Sequence, residues 1–331
     1  MSKPNIIILA TGGTVAAKAS DESTSTDYKA GVLSISSLLK AVPGLDGIAK
    51  LSTEQIANID SSNMSDELWL KLAKRVNSLA KSPKVDGIVI THGTDTMEET
   101  AYFLNLVSHT NKAIVLTGAM RPASAISADG AKNLYNAVYL AADEQARNKG
   151  VMIAINDKIY AARDVSKTHT LNIDAFKAQN SGEIGYIIDG KVFFSHDPVK
   201  LHTVNSVFCV RGLKKLPKVD IVYSYANDGS KVAIDAFLKA GAKGIVVATS
   251  GAGSIHENSK NHLIKLLKAK KLVVVKSSRV GAGLVPLGKE DEEQGFISAN
   301  DLNPQKARVL LMLALTKTQE GKEISKYFEL Y

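Results

Sequence analysis

Hydrophobic positions along the chain follow two alternating rhythms. Short apolar runs end in glycine or a polar group: "NIIILATGG" (5–13), "VDGIVITHG" (85–93), "AIVLTGA" (113–119) and "VMIAIND" (151–157). Such runs read as buried parallel strands whose C-terminal ends carry function. Between them lie longer stretches of helical period. "DELWLKLAKRVNSLA" (66–80) sets Leu68, Leu72, Val76 and Leu79 on one face, widened by Ala73 and by Trp69, which reads as packing. "AKNLYNAVYLAADEQAR" (131–147) carries Leu134, Val138 and Ala141 at matching spacing and predicts a crossover helix.

The pattern then changes. "GEIGYIIDGKVFFSHDP" (182–198) predicts an antiparallel hairpin turning at Asp189 and Gly190, and "RGLKKLPKVD" (211–220) has the composition of a connector. Beyond it the strand and helix rhythm resumes in "VDIVYSYAND", "KGIVVATSGAG" and "KLVVVKSSRVGAG". The closing "NPQKARVLLMLALTKT" predicts a helix capped by Asn303 with Pro304 in its first turn. The expected fold is α/β, with a larger N-terminal domain (1–215) holding a mainly parallel sheet and a smaller C-terminal α/β domain (216–331).

Composition narrows the classes. The apolar runs at 6–10 and 310–315 are far too short to span a bilayer, so no membrane insertion is expected, and no leader is visible. The net charge of +8 is spread among acids, without zinc-finger spacing or aromatic and basic alternation, so nucleic acid is not an expected partner. Cys209 is the single cysteine, which rules out an intrachain disulfide; its apolar setting "SVFCVRG" predicts a small buried hydrophobe.

Candidate chemistry gathers at the strand ends. In "THGTDTMEE" (91–99), Thr96 and Glu99 fit a capping box opening a helix. Thr94 and Asp95 would then sit beside free N–H groups, a corner suited to an anionic group or a developing oxyanion, or simply to a turn. "ATGGT" (10–14) lets backbone approach a ligand closely and presents Thr14, whose hydroxyl is a weak nucleophile until a base withdraws its proton. Lys167, in the polar "ARDVSKTHT", is a candidate for that base and equally a candidate surface lysine.

Other chemistries lack their signatures. In "TSGAGSI" (249–255) the third glycine of a dinucleotide fingerprint falls on His256, which argues against nicotinamide and leaves a polar pocket turn. The histidines have no metal-ligand spacing, and His92, next to Gly93, reads as a hydrogen-bonded structural residue, with contact to a site as the alternative. Neither a metal nor any other cofactor is expected.

At "TGGT" (11–14), "THGTDTMEETAYFL" (91–104), "GAMRP" (118–122) and "LNPQKARVLLMLALT" (302–316) the sequence resembles the bacterial-type L-asparaginases, in particular the type II asparaginase and glutaminase-asparaginase group. The resemblance runs from about Asn5 to Tyr331. It implies cofactor-free hydrolysis of L-asparagine to L-aspartate and ammonia, with L-glutamine as the second candidate substrate. Thr14 would be the nucleophile of an acyl-enzyme route, Tyr28 would stand beside it on a lid, and Thr94 with Lys167 would manage protons; alternatively Thr94 activates water directly. Asp95 would pair with the substrate ammonium and Ser61 with its α-carboxylate.

The resemblance also implies a homotetramer, a dimer of intimate dimers, in which Ser254 and Glu290 complete a neighbouring chain's site. The loop carrying Glu290 is shorter than in many relatives. Ser62 departs from the Gln or Glu that the family commonly places there, which predicts weaker recognition of the substrate amino group. A non-catalytic amino-acid-binding protein is the competing function. The periplasm is the expected compartment, with the cytoplasm as the alternative.

Overall fold

The structure, a computed structural model, describes residues 3–14, 39 and 42–331 in full and residues 18–19 and 28–29 by their backbone. The chain divides into two compact units, Met1–Lys214 and Lys215–Tyr331.

The first unit is built on eight strands: β1 (Asn5–Gly12), β2 (Lys50–Ile59), β3 (Gly87–Thr91), β4 (Ala113–Thr117), β5 (Val151–Ile155), β6 (Lys158–Ala161), β7 (Gly185–Ile188) and β8 (Lys191–Phe194). They lie in the order β8-β7-β6-β5-β4-β3-β1-β2. The five from β2 to β5 across that order pair in parallel, and β6, β7 and β8 add an antiparallel edge. Every residue of β3, β4 and β5 is buried, which is why these segments read as unbroken apolar runs rather than alternating ones. From β1 the chain goes to β2 on one side and then to β3 on the other. That reversal opens a crevice at the carboxyl ends of β1 and β3, the usual ligand position in an open α/β sheet.

Helix α1 (Asp66–Ala80) is capped by Ser65, whose hydroxyl accepts from the Leu68 N–H at 3.3 Å. It buries Trp69, Leu72, Ala73, Val76 and Leu79 and leaves Leu68 half-buried, so the apolar face centres nearer Trp69 than the spacing predicts. Trp69 stacks on Phe103 of α2 (Met97–Val107), with centroids 5.1 Å apart. Helix α3 (Gly130–Ala142) packs Leu134, Ala137, Val138 and Ala141 against Ile6, Ile8, Val89 and Val115 of the sheet. It stops short of the expected Arg147 because the Asp143 carboxylate accepts from the Gln145 N–H and starts a separate 3-10 turn, Glu144–Ala146.

The predicted hairpin is present as β7 and β8. Asp189 and Gly190 both adopt positive φ, 49° and 71°, as a tight two-residue turn between right-twisted strands requires. Cys209 corrects the sequence reading: it is exposed. Burial alternates from Ser206 to Val210, so in this extended segment Phe208 and Val210 point inward and the thiol faces out.

The second unit carries a four-stranded parallel sheet, β9 (Val219–Tyr223), β10 (Gly244–Thr249), β11 (Val273–Ser278) and β12 (Ile297–Ser298), in sequential order. Its helices are α4 (Ser230–Lys239), α5 (Glu257–Lys268), α6 (Lys289–Glu293), α7 (Pro304–Ala314) and α8 (Gly321–Leu330). Ile234 and Leu263 cover Ile245, Val247 and Val274 in its core. Asn303 caps α7, its side chain accepting from the Lys306 N–H at 3.0 Å, with Pro304 at the first helical turn as expected. Both units are α/β, and the larger, N-terminal one holds the mainly parallel sheet. Among the described residues, no helix is long and apolar enough to cross a membrane.

Candidate active site

Strand β1 leaves the sheet through two glycines that nothing else could replace. Gly12 and Gly13 have φ of 109° and 85°. A Cβ on Gly12 would fall 2.4 Å from the Ile59 oxygen, and one on Gly13 would fall 2.4 Å from the Gly93 nitrogen. The bare backbone of the first turn therefore lies directly against the turn after β3, and Thr14, buried at 6% exposure, follows at once.

The second turn, His92–Gly93–Thr94–Asp95, joins β3 to α2. A Cβ on Gly93 would meet the Ser61 Oγ at 2.7 Å, so this glycine admits Ser61 to the same corner. Thr96 occupies the N-cap position of α2, but its side chain makes no capping bond. The capping-box reading is corrected here: the Thr96 hydroxyl donates instead to the Ser61 carbonyl at 2.7 Å. A long-range bond that fixes a neighbouring loop has taken the place of a local one.

Ser61 opens the 3-10 turn Ser61–Asn63, which follows β2 and is capped by Asp60. The Asp60 Oδ1 accepts from the Ser62 N–H and the Ser62 hydroxyl, each at 2.9 Å. Ser61 is 3% exposed, whereas Ser62 is exposed with its hydroxyl turned to Asp60.

Lys167 arrives from a different part of the chain, on a short antiparallel ribbon formed by Ser166–Lys167 and Phe176–Lys177. The ribbon is anchored to β6 by the Tyr160 hydroxyl, which donates to the Phe176 carbonyl at 2.8 Å. Burial raises the Tyr160 pKa above the usual phenol value, consistent with a hydroxyl that acts only as donor. The Lys167 ammonium donates to the Thr94 Oγ1 at 2.9 Å and to the Asp95 Oδ1 at 2.5 Å. Its backbone N–H donates to the Glu98 Oε2 at 2.7 Å.

These groups converge on a cavity of about 200 Å³ lined by Thr14, Asp60, Ser61, Thr94, Asp95 and Lys167. Met120, Thr170 and Leu171 complete the wall and were not anticipated from sequence. Met120 stands on a turn held by the Asp129 carboxylate, which accepts from the Met120 and Arg121 N–H groups at 3.0 Å each. Glu98 was also missed. The available signal was a second acid in the first turn of a helix that is otherwise buried, and Glu98 itself is only 3% exposed.

Beneath the Thr94 turn lies a buried polar row. His92 is fully buried; its Nδ1 lies 2.7 Å from the Gly93 oxygen and its Nε2 2.9 Å from the Thr100 Oγ1. The Trp69 Nε1–H donates to the same Thr100 oxygen at 2.8 Å. Burial pulls the His92 pKa down to about 4, partly opposed by the bond to Gly93, so the ring is neutral near pH 7.

Not every expected residue enters the cavity. Ser62 does not line it. The Tyr28 backbone pairs with Ala19, and the Tyr28 side chain, with most of the predicted lid, lies outside the described residues. Ser254 and Glu290 belong to the second unit, and both are exposed there. Ser254 exchanges two backbone bonds with Ser250, and the Glu290 carboxylate accepts from the Gln294 side chain at 2.8 Å. Among the described residues no group of three or more His, Cys, Asp or Glu side chains could hold a metal ion.

The cavity thus combines four hydroxyls, a lysine joined to one of them, carboxylates, and backbone N–H groups at a helix start. Such a set can bind a zwitterion and move protons at an acyl carbon. Comparison with known proteins agrees in class. Two family models match, "Asparaginase, N-terminal" over residues 5–200 and "Glutaminase/Asparaginase C-terminal domain" over 218–328. The chain belongs to the asparaginase family.

Individual relatives are similar along most of their lengths. L-asparaginase 2 of Bacillus subtilis is 49% identical over 328 residues, covering 99% of this chain and 87% of that relative. The probable periplasmic L-asparaginase of Haemophilus influenzae is 50% identical over 330 residues, covering 98% and 93%. The crystal structure of a probable cytoplasmic L-asparaginase from Campylobacter jejuni superposes with a TM-score of 0.97 at 60% identity, covering 99% of this chain and 100% of that one.

Proposed function

We infer that this chain is an L-asparaginase, hydrolysing L-asparagine to L-aspartate and ammonia, with L-glutamine as a secondary substrate. The observation that carries the reading is the Lys167–Thr94 bond inside a polar cavity that also holds Thr14 and Ser61. A non-catalytic binder would need the charged recognition groups but not a lysine engaged with a threonine hydroxyl. Glutamine differs by one methylene, a difference worth only about 1 to 3 kcal/mol, and the C-terminal family model names both activities.

In this reading the Thr14 hydroxyl, with Tyr28 oriented beside it, attacks the side-chain amide carbon. The C–N bond then breaks and ammonia leaves an acyl ester on Thr14. The Thr14 proton passes to Thr94 Oγ1 as the Thr94 proton, directed away from the Lys167 ammonium that donates to the same oxygen, passes to the departing nitrogen. Water then attacks the ester, releases aspartate and returns the threonine proton. The N–H of Thr94 stabilises the tetrahedral oxyanion; no group among the described residues accepts from it.

Recognition falls to the cavity's charged groups. Asp95, already beside the Lys167 ammonium, pairs with the substrate ammonium, and the Ser61 corner receives the α-carboxylate. Ser62 contributes indirectly, by holding Asp60 at the cavity wall. Ser254 and Glu290 act in a neighbouring subunit of a homotetramer. Relatives described as a probable periplasmic enzyme, from Haemophilus, and a probable cytoplasmic one, from Campylobacter, support the periplasm as the proposed compartment with the cytoplasm as its alternative. Fractionation of the source cell decides this.

The central test is ammonia release over a concentration series of asparagine and of glutamine, in the wild type and in Thr14→Ala and Thr94→Ala. Hydrolysis of asparagine lost in both variants supports the assignment. Undiminished turnover in both would exclude this mechanism.

A further inference from the structure

His92 is buried behind the cavity, does not line it, and meets it only through the Gly93 backbone, and its hydrogen bonds run in one direction only. The Gly93 oxygen can only accept, so the Nδ1 lying 2.7 Å from it must carry the proton. A neutral ring then offers a bare Nε2, and the Thr100 hydroxyl 2.9 Å away must donate to it. Thr100 Oγ1 in turn accepts from the Trp69 indole, which is always a donor. The order of donation is therefore Trp69 to Thr100 to His92 to the Gly93 carbonyl, with no freedom to reverse.

The end of this row decides the orientation of a peptide. In a trans peptide the C=O and the following N–H point in opposite directions. With the Gly93 carbonyl held against the buried ring, the Thr94 N–H faces the other way, toward the cavity that Thr94 lines. Gly93 has no side chain of its own to set the orientation of this peptide, so the bond to its carbonyl adds to the packing of Gly13 and Ser61 around it.

We propose that His92 is a positioning residue for the amidohydrolase reaction, its Nδ1–H locking the Gly93–Thr94 peptide so that the Thr94 N–H is preset for the oxyanion, with Thr100 and Trp69 fixing the tautomer. The proposal rests on the hydrolase reading above and adds a role for groups that meet neither substrate nor nucleophile. The row preorganises a donor before charge develops, which is where such donors are most effective.

Two side chains of similar polarity separate positioning from mere filling. In His92→Asn the amide nitrogen occupies roughly the place of Nδ1 and still reaches the Gly93 carbonyl; in His92→Gln the polar end falls near Nε2 and reaches only Thr100. The expected result is a near wild-type kcat for Asn and a kcat lowered about a hundredfold for Gln, with KM for asparagine little changed in either. Equal kcat in the two variants would overturn the proposal.

A second measurement needs neither catalysis nor a variant that folds perfectly. In protein labelled with nitrogen-15 histidine at pH 7, the His92 signal, identified by its loss in His92→Asn, should show Nδ1 protonated and Nε2 bare. Thr100→Val should disturb that signal. An Nε2–H tautomer or a charged ring would also overturn the proposal. Wild-type protein that released no ammonia from either amide would sink the hydrolase reading, while the tautomer would still report on the row itself.

Discussion

Lys167 Nζ stands 2.9 Å from Thr94 Oγ1, although 73 positions separate the two residues in sequence. The bond exists because a two-stranded ribbon hung from β6 reaches over the turn after β3. Replacing Lys167 by Met keeps the length of the side chain and removes its charge. We expect kcat for asparagine to fall by about 10² or more, the usual range for a lost proton-transfer group. Stability should change by less than about 1 kcal/mol, because Asp95 at the other end of the ion pair is 60% exposed. Steady-state kinetics beside urea melts measure both.

Thr14→Ala should reduce turnover on the order of 10³-fold or more while the protein stays folded, since only a hydroxyl and a methyl leave the cavity wall. Mass spectrometry after rapid quenching offers a sharper check. An acyl adduct should be detectable on the peptide carrying Thr14 in the wild type and absent in the variant.

Glu98 is the buried carboxylate that receives the Lys167 N–H. Glu98→Gln keeps an acceptor oxygen, so most activity should remain. Glu98→Leu leaves a buried N–H unsatisfied and should cost about 1 to 3 kcal/mol of stability, with a lower kcat as the ribbon loosens. Equal kcat in the two variants would show that Lys167 does not depend on this anchor.

The neutral, buried His92 makes folding depend on pH. Its pKa is lowered in the folded state from 6.5 to about 4, so the unfolded chain binds the extra proton first. The associated stability is complete above pH 6.5 and declines as pH falls toward 4, by about 3 kcal/mol in all. Burial lowers the His202 pKa as well, adding a decline of the same sign. Asp174 and Asp291 have pKa values held below 3.8 by neighbouring lysines, so their contributions persist until more acid conditions. Denaturant melts between pH 4.5 and 7 should show the slope, and His92→Asn should flatten it.

How far the sequence announced this structure depends on whether the signal was local. The strands at 87–91, 113–117 and 151–155 were legible because each is buried on both faces and therefore uniformly apolar. The Asp189–Gly190 turn and the Asn303 cap were legible because backbone geometry demands those residues on the spot. Thr96 was misread because a capping box is a local rule, and its hydroxyl found a better partner in Ser61, 35 residues away. Cys209 was misread because period-two alternation in an irregular segment resembles a uniform apolar run. Met120, Thr170 and Leu171 escaped notice because nothing near them in the chain reveals that they share a cavity with Thr14, and Glu98 because its partner, the Lys167 N–H, lies 69 positions away.

The position of β1, between β2 and β3, has a consequence for how the chain is made. Asn5 pairs with Lys50 and Ile6 with Gly87, so β1 is made well before either partner and lacks its second neighbour until the later segment has been synthesised. Closing such distant pairs is slow compared with forming helices or hairpins, and the run "NIIILA" stays adhesive meanwhile. Yield in a cell should therefore respond to translation speed and to chaperones that hold apolar segments. Refolding from denaturant should be limited by the docking of this one strand, far more than by the hairpin at the opposite edge.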